Sequence, residues 1–448
     1  MIKDMTTGNP LKLIVSFSVP IILGNLVQQL YSWTDTVMVG KIIGNTALAA
    51  IGATGAITFL IIGFLIGISE GVCLLVSRYF GSGDFSALKR CVGNIIYVCF
   101  TITLLLTFFA LTFNRSILVI MKTPTDILDQ SEAYLSVIYL GMFSTMLYNV
   151  SAGIMRALGD SKTPLYFLIA SAVLNVVLNF LLISIIPLGV IGAALATVIS
   201  QFCAGAVAFV FLIKRYDILK LSSDDLKPRK AYISKLCIMS LPMAFQYSIT
   251  AIGSLFLQAS INALGSAPVT AFTVGDKVWN FGWSIINCLG VGLASYCSQN
   301  IGAAKIGRVR KGVFHTGLII ACSALLVSII YIVFGQGLSE FFLDEKTDEI
   351  LEYISVYYKI HTPFLIVLSM IAVFRNAIMG LGYSIHGMTA GIFELVGRSS
   401  VSILFVKRFG FVACCFASPI AWLLADALLI PMYFYIIKKL SKEYSDRT

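Results

Sequence analysis

The sequence predicts an all-α integral membrane protein, and three observations support this class. Of the 448 residues, 58% are hydrophobic and only 12% are charged, and the mean hydropathy is +0.91. A soluble domain carries about twice that share of charged residues. Apolar runs of about 20 residues recur along the whole chain, as membrane-spanning helices require, whereas the strands of a lipid-facing barrel would alternate polar and apolar residues.

We predict twelve membrane-spanning helices, at about residues 13–38, 46–76, 92–113, 130–156, 164–186, 189–213, 235–262, 268–298, 312–334, 350–379, 386–406 and 411–437. An even number of spans places both termini on one side of the membrane. Lysine and arginine are concentrated in the connections on that side, above all between Lys214 and Lys235, whereas the loop 340–349 on the other side is acidic. Since positively charged loops remain in the cytoplasm, we expect a multi-pass protein of the cell membrane with both termini cytoplasmic.

The two halves of the chain resemble each other at a nearly constant spacing. The matches lie 221 to 223 residues apart: Pro20 with Pro242, Ser77-x-x-x-Gly81 with Ser298-x-x-x-Gly302, and Leu158-Gly159 with Leu381-Gly382. An internal duplication of this kind is common in membrane transporters. We therefore predict two six-helix lobes, at 1–220 and 235–448, related by a pseudo-two-fold axis along the membrane normal and joined by a cytoplasmic linker at 221–234.

The first span contains the strongest candidate for a functional residue. Asp35 lies in an otherwise mostly apolar helix, and a carboxylate at membrane depth is costly unless it faces protein or water. Gln28, Tyr31 and Asp35 share one helical face, because they are spaced three and four residues apart. Pro20 has no N–H to donate and predicts a bend in the helix before that face.

Polar side chains in later spans supply oxygen atoms that can accompany this carboxylate. Asn175 and Asn179 lie four residues apart in the fifth span, and Thr197 and Gln201 lie four apart in the sixth. Carboxylate, amide and hydroxyl oxygens suit a proton relay or a hard monovalent cation. The alternative is that the asparagines only join helices by hydrogen bonds.

A wider set of polar and aromatic residues is predicted to line the substrate route, where tyrosines can contact organic cations. The predicted lining residues are Gln28, Tyr31, Tyr134, Tyr139, Asn149, Gln246, Asp276 and Asn280. Glu394 and Arg398 are four residues apart in the eleventh span and are expected to neutralise each other. Glu70 and Asp426 are further candidates, for the lining or for span ends.

The remaining reactive side chains give no sign of an enzyme or a cofactor. Ten cysteines are scattered, nearly all inside apolar runs and without a CxxC motif, so they are interpreted as core residues and not as disulfides or metal ligands. His315, His361 and His386 lie near predicted span ends and are expected to be solvated or interfacial. An intramembrane enzyme would need paired carboxylates, metal-binding histidines or a nucleophile with its base, and no such set is found in the sequence.

At these residues the chain resembles the multidrug and toxic compound extrusion (MATE) family over nearly its whole length. The first span fits the pattern P-x(10)-Y-x(3)-D-T-x-M-V-G between Pro20 and Gly40, and the R-A-L-G-D run at 156–160 is similar too. The resemblance implies an antiporter that exports drugs or organic cations in exchange for protons or sodium. We expect a monomer with no other cofactor, and no nucleic-acid partner because the positive charge lies in the loops between spans. It also implies that Asp35 is the coupling carboxylate.

The resemblance further implies that Asp35 shares its pocket with Asn175, Asn179 and Thr197, that sodium, if it is the ion, binds at Asp35, Asn175 and Asn179, and that Pro20 marks a bend. Two features depart from the family pattern. Members with this pocket can carry an acid at the place of Asn179, and other members use acids at about the places of Thr250 and Met370. We therefore expect coupling to rest on the N-terminal lobe.

A lipid-linked oligosaccharide flippase can share the two-lobe design and is the alternative function. Such a protein needs a strongly cationic cleft for a pyrophosphate, and the intramembrane cations here are few: Lys277, Lys359, Arg375 and Arg398. Drug and cation export is therefore the preferred interpretation of the sequence.

Overall fold

The computed structural model describes residues 3–121, 123–343 and 347–445, and in these the chain is helical without a β-strand. The helices are α1 Pro10–Met38, α2 Asn45–Ser82, α3 Phe85–Ile120, α4 Thr125–Leu140, α5 Met142–Ala157, α6 Lys162–Asn179, α7 Gly189–Arg215, α8 Lys230–Asn262, α9 Ser266–Gly302, α10 Ile306–Glu340, α11 Asp348–His361, α12 Leu365–Gly380, α13 Ser384–Leu404 and α14 Val406–Ser445. The all-α prediction is confirmed. Part of the predicted acidic loop, residues 344–346, lies outside the described residues.

Nine helical segments of the described chain are long and apolar enough to cross a membrane, and a tenth results if α4 and α5, bent by 44° at Gly141, form one span. The helices α9 and α13 are also long, with 37 and 21 residues. They carry charged residues away from their ends, Asp276 and Lys277 in the former and Glu394 and Arg398 in the latter, which lower their hydropathy. The chain is thus a multi-pass membrane protein, and the number of twelve spans stays a prediction.

By its internal contacts the described chain divides into two compact units. Unit 1 consists of Lys3, Asp4 and Val19–Ala244, and unit 2 consists of Met5–Ser18 and the described residues from Phe245 onwards. The first turns of α1 therefore belong to unit 2, and the first half of α8 belongs to unit 1. The predicted lobe boundaries at 220 and 235 follow the order of spans along the chain and stay a prediction.

Each unit contains one very close helix contact between a glycine and a serine. In unit 1, a Cβ atom added to Gly71 of α2 would lie 2.3 Å from the Cα atom of Ser240 in α8. In unit 2, a Cβ atom added to Gly292 of α9 would lie 2.1 Å from the Oγ atom of Ser18 in α1. Gly71 precedes Gly292 by 221 residues and Ser18 precedes Ser240 by 222 residues. The two contacts therefore follow the spacing of the internal duplication.

Candidate functional site

The candidate site in unit 1 lies where two helices widen into π-helical turns. Asp35 is in the last turn of α1, which continues directly into the π-helical turn Val39–Ile43, and Asn179 ends α6, which continues into the π-helical turn Phe180–Ile185. Such wide turns are rare and are often found at functional sites. The helix α1 is continuous through Pro20, and the bend predicted there stays a prediction.

A small apolar cluster fixes the backbone beside these turns. Its buried members are Val39, Ala47, Ile183, Val190 and Ala193, with Ile43, Ile51 and Tyr134 packed against them. The cluster joins the ends of α1 and α6 to the first turns of α2 and α7. Because tightly packed side chains hold neighbouring backbone in place, the cluster determines where the adjoining polar residues lie.

The four predicted coupling residues form one continuous chain of hydrogen bonds. The Nδ2 group of Asn179 donates to Oδ1 of Asp35 and also to Oδ1 of Asn175, at 3.0 Å. The Nδ2 group of Asn175 in turn donates to Oγ1 of Thr197 at 3.4 Å. Both asparagines are buried, and Asp35 is partly exposed. Thus a partly exposed titratable group is connected to three neutral polar groups inside the unit.

One oxygen of this chain has no hydrogen-bond donor. The Oδ1 atom of Asn179 is buried, and no donor reaches it from the described residues. A buried carbonyl oxygen without a donor is costly, by about 1–3 kcal/mol. The site can therefore accept one more donor or one cation beside Asp35.

A second set of polar residues lies on the other side of Thr197. The hydroxyl of Tyr31 lies beside Thr197 and Gln201, and Thr145 donates to Oε1 of Gln201 at 2.6 Å. Tyr31 and Tyr134 also interact electrostatically with Asp35. Sequence reasoning missed Thr145, although its separation of four residues from Asn149 on α5 shows that the two share a face.

The other predicted lining residues of unit 1 are not part of this network. Gln28 is exposed on α1. Asn149 is half-buried and donates to the backbone oxygen of Thr145 at 2.8 Å. Tyr139 is only 1% exposed and packs against α3, where its backbone oxygen accepts from Thr107. Their predicted contact with substrate stays a prediction.

The predicted residues of unit 2 belong to a separate polar region. Asn280 donates to Oδ2 of Asp276 at 2.7 Å, one turn away on α9. Gln246 is buried beside Gly391 of α13, and its Oε1 atom has no partner in the described residues. Within the part of the chain that the structure describes, no group of three His, Cys, Asp or Glu side chains is arranged to hold a metal ion.

Glu394 lies between two arginines in the interior of unit 2. It forms ion pairs with Arg375 of α12 and with Arg398, the latter at 3.7 Å, so the predicted pairing of Glu394 with Arg398 is confirmed. Sequence analysis named Arg375 only as an intramembrane cation, and its pairing with Glu394 was not predicted because it lies on another helix. Arg398 also donates to the hydroxyl of Ser254 at 3.2 Å. These groups stabilise one another, and Asp426, buried on α14, interacts electrostatically with Arg375.

The prediction that His361 is solvated or interfacial is wrong. Its exposed fraction is 2%, and its ring stacks on Tyr357 at 4.1 Å between centroids, with Trp279 and Trp422 nearby. The span Asp348–Gly380 contains this histidine far from either end, as the predicted span 350–379 already did. Its aromatic neighbours on other helices, which the sequence does not reveal, bury the ring.

Three comparisons with known proteins identify the family and the fold of the chain. The MatE family profile matches residues 20–181 and 242–404. The chain is 27% identical over 360 residues to the probable multidrug resistance protein YpnP of Bacillus subtilis, covering 79% of this chain and 80% of that protein. It is 24% identical over 395 residues to the multidrug export protein MepA of Staphylococcus aureus, covering 88% and 84%. A solved structure of a multidrug resistance MATE family transporter in an outward-facing conformation matches with a TM-score of 0.89 and 21% identity over 98% of both chains.

The fold defines a multi-pass helical membrane protein. The chain belongs to the MatE family, because the family profile covers most of both halves. It is thus a transporter of that family, and it is similar to proteins named as multidrug resistance and multidrug export proteins.

Proposed function

We propose that the protein exports small organic cations in exchange for protons, and that Asp35 carries the proton. The observation behind this proposal is the contact between Asp35 and Asn179. The amide donates to one carboxylate oxygen, and its own Oδ1 atom has no donor among the described residues. A protonated carboxyl group can supply that donor, because its O–H can bond to the amide oxygen while the amide N–H bonds to the other carboxyl oxygen.

The two protonation states of Asp35 would then differ in what the site can bind. When protonated, Asp35 is neutral and can donate its O–H to the Oδ1 atom of Asn179. Both groups then have their hydrogen-bond partners and need no further ligand. Ionised, Asp35 is a negative charge with one oxygen available, close to the rings of Tyr31 and Tyr134. A carboxylate beside aromatic rings attracts an organic cation by charge and by cation–π contact. Proton and substrate therefore compete for the site.

Competition becomes antiport if the protein alternates between two conformations that open to opposite sides. A ligand shifts such an equilibrium only through its different affinity for the two states. On the outer, more acidic side Asp35 takes up a proton and the organic cation leaves. On the inner side the proton leaves and another cation binds, so the proton gradient drives export.

Sodium is the alternative coupling ion. The oxygens of Asp35, Asn175, Asn179 and Thr197 are hard donors of the kind that sodium prefers, and the oxygen of Asn179 that lacks a donor fits a cation as well as it fits a proton. We prefer the proton because Asp35 is the one carboxylate in the described hydrogen-bonded chain. No other cofactor and no catalytic step are part of the proposal.

The proposed setting is the cell membrane, with both termini in the cytoplasm, two lobes of six spans and a monomeric protein. The excess of lysine and arginine in the connections on the side of the termini supports this orientation. Under it, the net charge of +10 lies mostly at the inner membrane surface, where it favours anionic lipid and gives no reason to expect nucleic acid.

Ethidium efflux from proteoliposomes tests the proposal, with a proton gradient and separately with a sodium gradient. The wild type should respond to the proton gradient, and Asp35→Asn should not. Size-exclusion chromatography in detergent should show that the Asp35→Asn variant is still folded. As a matched control, Asp126→Asn removes an exposed carboxylate of the same unit and should leave efflux unchanged. Undiminished proton-driven efflux by Asp35→Asn would refute the role of Asp35. Efflux that responds to the sodium gradient alone would identify sodium as the coupling ion.

A further inference from the structure

Unit 1 contains an apolar cavity of about 530 Å³ that lies outside the Asp35 site. It is formed by α3, α5 and α7 and by the connection between α7 and α8. Its lining includes Ile95, Ile96 and Phe100 of α3, Met146 and Val150 of α5, and Ile213 of α7. We call it the linker cavity. Its volume lies within the range of about 300–1,000 Å³ of small-molecule sites.

The mouth of the linker cavity opens on the surface that a membrane protein turns to lipid. Ile96 and Phe100 at the mouth are 49% and 56% exposed, although they lie in a span, and Ile213 is 46% exposed. The inner wall is buried and includes Ile95 and Met146. A buried water molecule needs several hydrogen-bond partners, and an apolar cavity does not provide them. Hydrocarbon from the bilayer is therefore the natural occupant.

The connection that closes one end of the cavity is fixed to α3. The side chain of Asn94 accepts from the backbone N–H of Arg229 at 2.7 Å and donates to the backbone oxygen of Lys227 at 3.3 Å. The hydroxyl of Tyr97 donates to the backbone oxygen of Leu226 at 2.9 Å. Because these bonds hold the connection in place, the end wall formed by Leu219, Leu221 and Leu226 is part of the fold.

The charged side chains of the connection itself are paired. In the connection, Asp217 pairs with Lys220 at 2.7 Å, and Asp224 pairs with Lys227 and Arg229. Hydrogen bonds from the lysines hold the pKa of both carboxyls below the usual range, so these acids stay ionised and neutralise their partners.

Lys214 and Arg215 at the end of α7 form no ion pair within 4 Å in the described chain. Lys214 directly follows Ile213 of the cavity mouth, and both cations end a shallow apolar groove along the next face of α7, with Val207 and Val210. Apolar surface thus leads to two cations that lack an ion pair among the described residues, of which Arg215 also interacts electrostatically with Asp217. Basic pockets between spans on the cytoplasmic side are typical binding sites for anionic lipid headgroups.

We propose that the linker cavity binds one acyl chain of an anionic phospholipid, whose phosphate is held by Lys214 and Arg215. The lipid comes from the leaflet on the side of the linker. Bound there, it joins α3, α5 and α7 to the connection between the two halves of the chain. The site is independent of Asp35, so it can exist whether or not the protein couples transport to protons.

Native mass spectrometry of the full-length protein in detergent, with added phosphatidylglycerol or phosphatidylcholine of the same chain length, tests the headgroup. We expect phosphatidylglycerol to bind about tenfold more tightly, and Lys214→Gln/Arg215→Gln to remove this preference. The matched control Lys438→Gln/Lys442→Gln removes two exposed cations of α14 and should retain it. Equal binding of both lipids by the wild type, or an unchanged preference in the Lys214/Arg215 variant, would overturn the headgroup assignment.

The cavity itself is tested with Val150→Trp, which places an indole in it from α5. This variant should bind about tenfold less of both lipids, whereas Val119→Trp, at an exposed position of α3 outside the cavity, should bind like the wild type. A phospholipid with a photoreactive group in its acyl chain should label residues 92–103 or 146–154 in the unaltered protein. Labelling elsewhere, or displacement by ethidium with retention of lipid at other sites, would overturn the acyl-chain assignment and mark the cavity as a drug site.

Discussion

The side-chain amide of Asn179 donates a hydrogen bond to the carboxylate of Asp35, across a separation of 144 residues in the sequence. The same amide group donates to Asn175 at 3.0 Å, so both of its protons are used within the site. Its oxygen has no donor among the described residues. The position of this amide therefore depends on Asp35 of α1 and on Asn175, which lies one turn earlier on the same helix, α6.

Removing this amide should uncouple transport. Hydrogen bonds to charged groups contribute about 1.5–3 kcal/mol, so Asn179→Leu should reduce proton-driven ethidium efflux in proteoliposomes by about tenfold or more. Asn179→Asp should retain coupled efflux, because two carboxyls that share one proton can still form the hydrogen bond. As a control, Asn114→Leu removes another buried amide of unit 1, which bonds to Ser136, and should lower stability but not coupling. Full coupling in Asn179→Leu would contradict the assignment.

The close glycine–serine contacts should tolerate no larger side chain. Gly71→Ala and Gly292→Ala would each place a methyl group within 2.3 Å of a serine atom, and overpacking of this kind costs about 1–3 kcal/mol. We expect each variant to lower the melting temperature in detergent by several degrees, measured by size-exclusion chromatography after heating. Gly55→Ala, where nothing lies within 4 Å, should be neutral or slightly stabilising. Equal stability of all three variants would show that the contacts relax.

Loss of Glu394 should be far more damaging than loss of an exposed carboxylate. Glu394→Gln leaves the guanidinium groups of Arg375 and Arg398 buried without their shared counter-ion, and breaking a buried pair costs about 3–5 kcal/mol. Arg375→Met/Glu394→Met, which removes one charge of each sign, should be milder. Asp129→Asn, which removes an exposed partner of Arg115, should cost at most about 1 kcal/mol. Thermal unfolding in detergent ranks the three variants.

Asp160, in the connection between α5 and α6, should make the stability of unit 1 depend on pH. Its carboxylate accepts from the backbone N–H and hydroxyl of Thr163, at 3.0 and 2.7 Å, and from the hydroxyl of Tyr216 at 2.7 Å. Burial alone would raise the pKa of this carboxyl, but the hydrogen bonds to its oxygens, these three among them, outweigh burial and hold the pKa below its usual value.

A lowered pKa means that the stabilisation is present above the unfolded-state pKa of about 3.9 and is lost as the pH falls through the folded-state pKa. At pH 7, Asp160→Asn should therefore be less stable than the wild type, by about 1–3 kcal/mol. The difference in melting temperature between the two proteins should shrink as the pH is lowered from 5 to 3. A difference that stays constant over this range would exclude a contribution from the charge of Asp160.

The sequence by itself determined the fold class and the identity of the polar groups. Hydropathy and run length are local properties, so they predict membrane-spanning helices without knowledge of their neighbours. The high cost of a carboxylate in a span singled out Asp35, and helical spacing singled out Asn175 and Asn179. The structure brings these three residues and Thr197 into one hydrogen-bonded chain.

Only the tertiary structure decided how these groups are shared between helices. It showed that Asn179 uses both amide protons and leaves its oxygen without a donor in the described chain, that Arg375 joins Glu394, and that His361 is buried. It also produced the linker cavity, whose walls come from three helices and a connection. Spacing along one helix determines which side chains share a face. The partner of a side chain on a neighbouring helix depends on packing between segments that are far apart in the sequence, and a local sequence pattern carries no information about that packing.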